Sequence, residues 1–237
     1  TEKRIVCVGR IAITQKRPHL LVEAFSLLAG DYPNWSLEFF CSGANEDIDA
    51  INGLITNRGL EDRVVLKGAT EDVSEVFETS ELMVMPSRFE GFPNALAEAL
   101  AAGVPAIGFS DCPGVRDLIE PGKNGVLVSG EDAGEASVGD DHDVGEQGEG
   151  ISESAGTVEY LRGENRLAKD LSEAMARLMD DGDLRRTLGS NAKESMEPFN
   201  EEQVAQRWID VIEQLLSANA GKSEITSPFL SAIGNND

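Results

Sequence analysis

The chain has 237 residues, 41% of them hydrophobic, and a formal net charge of −23. That is enough apolar content for one large domain or two small ones. So negative a surface is excluded, taken as a whole, from binding nucleic acid or anionic lipid, although a local basic pocket is not.

No apolar run approaches the roughly 20 residues of a membrane span. Cys7, Cys41 and Cys112 are scattered and lack metal-ligand spacing. They read as buried, reduced thiols of an intracellular protein. The acids outnumber the bases nearly everywhere. High-salt adaptation would account for this, and equal melting with and without molar KCl would dismiss it.

Apolar runs at Arg4–Val8, Leu37–Cys41, Val64–Lys67, Leu82–Met85, Pro105–Phe109 and Gly125–Val128 read as buried strands. Between them lie helical patterns at Pro18–Ala29, Asp47–Arg58, Asp72–Glu78, Asn94–Ala102 and a short piece near Val115–Ile119. This alternation predicts an α/β fold, a doubly wound parallel sheet of Rossmann-like type with right-handed crossovers. Ligands of such sheets bind at the carboxyl ends of the strands. Gly9-Arg10, Ser87 to Asn94 and Ser110 to Gly114 fall there.

Residues 131–163 interrupt the pattern. Acids, Gly and Ser dominate residues 131–160, without a Lys or Arg. The stretch reads as a solvated loop inserted in the domain. Asp140, Asp141, Asp143 and Glu146 offer the sharper reading of a Ca²⁺ site, but no EF-hand spacing accompanies them. Helical spacing resumes at Leu167–Met179, Leu184–Glu197 and Glu201–Leu216. The last carries Val204, Trp208, Val211, Ile212 and Leu215 as an apolar stripe, read as a packing face. The domain is expected to span 1–218, with 219–237 a frayed tail.

Two groups of residues could do chemistry. Arg10 and Lys16 stand six positions apart, on either side of the loop Ile11 to Gln15. Two cations at the rim of a sheet can converge on one anion, Arg10 as a bidentate fork and Lys16 as a point charge. Neither the phosphate-loop pattern GxxxxGK[ST] nor GxGxxG is present, which weakens NTPase and dinucleotide readings. Glu90 and Glu98 stand eight apart, one in a Gly/Pro loop and one inside the following helix. Glu98 lies among Leu96, Ala97, Ala99 and Leu100 and is expected to be partnered. A ribose diol is suitable, since a carboxylate accepts from both hydroxyls. Backbone N–H groups at that helix start favour anions.

The segment FEGFPNALAEALAAGVPAI, with its Glu90-x₇-Glu98 spacing, resembles the signature of the GT-B retaining glycosyltransferases, family 4. Gly9-Arg10 with Lys16 resembles that family's diphosphate-binding pair. Leu118 to Gly125 and Leu184 to Gly189 resemble its later segments. The resemblance covers nearly all of 4–128 and 164–216, and the insertion at 131–163 departs from it.

It implies the C-terminal, donor-binding half of a GT-B enzyme with extra C-terminal helices. Arg10 and Lys16 would neutralise the donor diphosphate, Glu98 would hold the ribose, and Glu90 would contact the transferred sugar. Backbone groups of Gly91, Phe92, Pro93 and Asn94 would bind sugar or phosphate, and the base would lie near Gly68 and Ala69. No cofactor or metal is expected. The implied partners are a nucleotide-sugar (UDP-, GDP- or ADP-linked), a carbohydrate or lipid-linked acceptor, and an N-terminal domain in cis, without which no transfer is expected. The implied location is the cytoplasm, any membrane association coming from the absent half. The competing readings are a non-catalytic nucleotide-sugar-binding scaffold and a GT-B-like epimerase or phosphorylase.

Overall fold

A computed structural model describes residues 2–130 and 155–220, the side chains of 155–163 and 218–220 excepted. By their contacts the residues fall into two units, divided between Met196 and Glu197.

Among its described residues the first unit has six strands: β1 (Lys3–Ile11), β2 (Trp35–Gly43), β3 (Val64–Gly68), β4 (Leu82–Met85), β5 (Ala106–Phe109) and β6 (Gly125–Val128). Every neighbouring pair is parallel, and the order across the sheet is β3-β2-β1-β4-β5-β6. The chain therefore winds outward from β1 in one direction and from β4 in the other. The crevice between β1 and β4, at their carboxyl ends, is the switch point where such sheets take ligands.

Alternate side chains along each strand enter opposite layers. Ile5, Leu37, Phe39, Leu82, Val84, Ile107 and Phe109 pack with α2 (Pro18–Ser26), α3 (Asn45–Arg58) and α7 (Ala155–Asp180). Val6, Val8, Met83, Met85 and Ala106 pack with α4 (Val73–Glu78), α5 (Asn94–Ala101) and α6 (Pro113–Leu118). Local chemistry fixes the ends of these helices. Pro18 opens α2 at a position that needs no N–H. The Asp72 carboxylate caps α4 by accepting from the N–H groups of Ser74 and Glu75. The helix α8 (Gly182–Ser195) comes so close to the end of α5 that a Cβ on Gly189 would lie 2.2 Å from the carbonyl oxygen of Gly103.

Several expectations need correction. β1 runs on to Ile11, so Arg10 belongs to the strand. Its register with β2 persists to Ile11↔Gly43, because Gly43 has no Cβ to strike the carbonyl oxygen of Ile11. The expected loop Ile11 to Gln15 contains a single helical turn, α1 (Ile13–Lys16). The helix α7 starts at Ala155, inside the stretch read as an inserted loop. The proposed calcium ligands Asp140, Asp141, Asp143 and Glu146 lie outside the described residues, as does most of the tail. Among the described residues no helix is long and apolar enough to cross a membrane.

The second unit holds a short 3₁₀ turn (Glu197–Phe199) and α9 (Glu201–Ala220). Along α9 the apolar stripe is exposed, with Trp208 at 66% and Leu215 at 60%.

Candidate functional site

The last residues of β1 and the loop after β4 face each other across the switch point. They enclose a cavity of about 30 Å³ lined by Arg10, Lys16, Ser87 and Glu90 above Cys7 and Cys41. Lys16, the last residue of α1, places Nζ 2.6 Å from Glu90 Oε1. The Ser87 hydroxyl donates to the same oxygen at 2.7 Å. Arg10 is exposed, and its side chain makes no hydrogen bond or ion pair among the described residues. One cation is thus committed to a carboxylate while the other is available to an incoming anion.

The loop carrying Glu90 is pinned from both sides. The Arg88 N–H donates to the Gln15 carbonyl at 2.8 Å, joining the loop to α1. Arg17 donates from Nε to the Pro86 carbonyl at 2.9 Å and from Nη2 to the Ser87 carbonyl at 3.3 Å. On the other side, Gly114 lies so close that a Cβ there would sit 2.4 Å from the Gly91 carbonyl oxygen and 2.6 Å from that of Glu90.

Loop positions beyond Glu90 are disposed as follows. Gly91, Phe92 and Asn94 are exposed and Pro93 is buried. Pro93 is the N-cap of α5 and supplies no side-chain cap, so the first N–H groups of that helix have no partner within it. Glu98, expected to be partnered, is exposed and has no partner among the described residues. The reason is its place on α5, off the face that buries Leu96, Ala99 and Leu100. Gly68 and Ala69 are exposed at the end of β3, with Gly68 at φ 79°. Gly68 lines a groove of about 590 Å³ between α3 and β3, which shares Cys41 with the cavity of Arg10, Lys16 and Glu90.

The three cysteines are free. Cys41 and Cys112 are buried and Cys7 is half-buried; Cys7 and Cys41 both line the cavity. Burial pushes the Cys7 thiol up to about 12, helped by neighbouring Cys41 and opposed by Lys16. Burial likewise pushes Cys41 up to about 11. Both are therefore protonated and unreactive near neutrality. Among the described residues no three His, Cys, Asp or Glu side chains gather as a metal site would need.

Sequence reasoning did not single out Ser87, Arg17 or Gly114. Ser87 had a signal, being a hydroxyl three residues before a loop carboxylate. Arg17 had a weaker one, being an arginine immediately before a helix-opening proline. Gly114 had none, because a close approach of backbones leaves no trace in local sequence.

The family model described as glycosyl transferases group 1 matches residues 2–138. An exopolysaccharide phosphotransferase of Streptomyces coelicolor is 28% identical over 218 residues, which is 92% of this chain and 19% of that protein. The poly(glycerol-phosphate) alpha-glucosyltransferase of Bacillus subtilis is 34% identical over 125 residues, 53% of this chain and 18% of that protein. The chain thus spans about a fifth of the length of each of these relatives. Among solved structures, the pneumococcal O-GlcNAc transferase GtfA, in complex with UDP and GlcNAc, superimposes with a TM-score of 0.69 at 22% identity. The match covers 90% of this chain and 36% of that one. The parallel, Rossmann-like sheet is that of the C-terminal domains of GT-B glycosyltransferases.

Proposed function

This chain belongs to the glycosyl transferases group 1 family, and we propose that it is the donor-binding part of an enzyme that moves a sugar from a nucleotide-sugar to an acceptor. The observation that carries the proposal is the gathering of Arg10, Lys16 and Glu90 round one cavity at the switch point of the sheet. Similarity to a transferase solved with UDP and GlcNAc supports a nucleotide-sugar donor, with UDP as the first base to try.

In this reading Arg10 grips the diphosphate, and Lys16 adds a second positive charge. An ammonium has three donor protons, so Nζ can keep Glu90 and still reach a phosphate oxygen. Glu90 presents its second oxygen to the transferred sugar. The uncapped start of α5 and the loop before it, Gly91 to Asn94, offer backbone groups to sugar or phosphate, N–H donors except at Pro93. The exposed Glu98 carboxylate is free to accept from the ribose hydroxyls, and the base lies toward Gly68 and Ala69.

As the C1–O bond breaks, positive charge grows on the sugar and negative charge on the leaving diphosphate. Fixed cations stabilise that separation more than the ground state. Removing one such group costs roughly two to three orders of magnitude in rate. Arg10 and Lys16 would do the work a divalent cation does elsewhere, with retention at the anomeric carbon. The acceptor is a carbohydrate or lipid-linked group, held by a second domain in cis. The chain by itself is expected to bind donor weakly and transfer nothing.

Calorimetric titration of the chain with UDP, GDP and ADP tests this, with Arg10→Ala as the comparison. One diphosphate should bind, and the variant should lose that affinity while keeping its fold. Equal binding by the variant would remove the phosphate assignment.

A further inference from the structure

Arg17 does more than precede a helix. Its backbone lies in the left-handed region at φ 48° and ψ 44°, and it is the only non-glycine residue at positive φ among the described residues. A side chain is strained there, whereas glycine would adopt the conformation freely. Pro18 narrows the choices of the residue before it still further. The strain therefore has to be offset by what the side chain does.

That side chain is 6% exposed. Its guanidinium donates to the carbonyls of Pro86 and Ser87 and lies 3.7 Å from the Asp111 carboxylate. It also stacks 4.6 Å from the centroid of Phe109. These partners come from the ends of β4 and β5, while the Arg17 backbone follows directly on Lys16. A planar fork can serve two carbonyls at once, which an ammonium cannot do with the same geometry.

We propose that Arg17 is a positioning residue for the donor site: by tying α1 to the loop after β4, it sets where the Lys16 ammonium stands relative to Glu90 and the diphosphate. The proposal rests on the donor reading above. Arg17 itself touches no donor atom. Its effect passes through the carbonyls at 86 and 87, just before Glu90, and through the peptide it shares with Lys16. The Arg88 N–H bond to Gln15 is the reporter of that tie.

The test uses Arg17→Lys and Arg17→Gly in the whole chain, the second being free of backbone strain. Two quantities are read: affinity for UDP against uridine, and hydrogen exchange at the Arg88 amide. Both variants should weaken UDP binding by about tenfold or more, as misplacing a positioned charge does. Uridine affinity should be unchanged, and the Arg88 amide should exchange faster. Equal losses for UDP and uridine would signal general loosening and overturn the proposal. UDP binding as in the parent, alongside loss in Arg10→Ala, would overturn it and leave the donor reading standing. If the parent binds none of UDP, GDP and ADP, the donor reading falls. The tie is then decided by exchange alone, and an Arg88 amide no faster in Arg17→Lys sinks it.

Discussion

Lys16 Nζ and Glu90 Oε1 meet at 2.6 Å across the seam between β1 and β4, 74 residues apart in sequence. Ser87 donates to that same oxygen, so Oε1 is engaged twice, and Oε2 has no hydrogen bond among the described residues. The carboxylate is held by one edge, and the other edge is left without a hydrogen bond among the described residues.

Lys16→Ala should separate binding from stability. The pair is partly exposed, at 24% for the lysine side chain and 12% for the glutamate. Its removal should cost about 1 kcal/mol of stability or less, with Ser87 still holding Glu90. Affinity for UDP should fall by about tenfold or more, equivalent to roughly 1.4 kcal/mol. Thermal melting and calorimetry on one sample decide the matter, and unchanged affinity would count against a role for Lys16.

Gly114→Ala is expected to be costly out of proportion to one methyl group. The new carbon would press on the backbone oxygens of Glu90 and Gly91, which have no rotamer to retreat into. Overpacking of this kind costs about 1–3 kcal/mol, and each kcal/mol is worth about 2–4 °C of melting temperature in a domain of this size. A melt within about 1 °C of the parent would show that the loop yields easily, contrary to its pinning.

Arg185 should matter to the fold without touching the site. It is 6% exposed, donates from Nη1 to the carbonyls of Leu178 and Met179, pairs with Glu81 at 3.0 Å and stacks on Trp35. Arg185→Met would leave two buried carbonyls without that donor, a loss of about 2–4 kcal/mol. Chemical denaturation measures it, and UDP affinity extrapolated to fully folded protein should stay unchanged.

Stability should decline at alkaline pH, and Cys7 should account for part of the decline. Its pKa is raised in the folded state to about 12 from an ordinary value of 9.0. Between those values the unfolded thiol gives up its proton and the folded one keeps it. The contribution is therefore complete below pH 9 and lost as pH rises toward 12. One such group contributes a slope of up to about 1.4 kcal/mol per pH unit. Cys7→Ala should flatten the curve over that window, whatever its effect near neutrality. An identical slope in the variant would contradict the shift.

The strands were readable because runs such as Leu82–Met85 are apolar on both faces, as a parallel sheet covered by helices requires. What escaped was short or non-local. The four residues of α1 are too few to show a helical period. The alanine-rich neighbours of Glu98 look apolar all round, so they do not tell which way it faces; only Leu96, Ala99 and Leu100 among them are buried. Arg10 lies at the end of β1, Lys16 in the turn that follows and Glu90 in the loop after β4, regions that the alternating pattern could locate, and the three line one cavity. The pinning of their loop by Arg17 and Gly114 depends on contacts across dozens of residues, which no local pattern encodes.

The seam between β1 and β4 is narrow, with only Ile5↔Leu82 and Val6↔Met83 in register, whereas β1 and β2 align over nine residues from Lys3 to Ile11. The first three strands can therefore assemble early, by closing comparatively short loops. Joining β4 requires a much larger closure, secured by few bonds. Lys16 and Glu90 sit on opposite banks of that late junction, so recovery of ligand affinity during refolding should lag behind recovery of secondary structure.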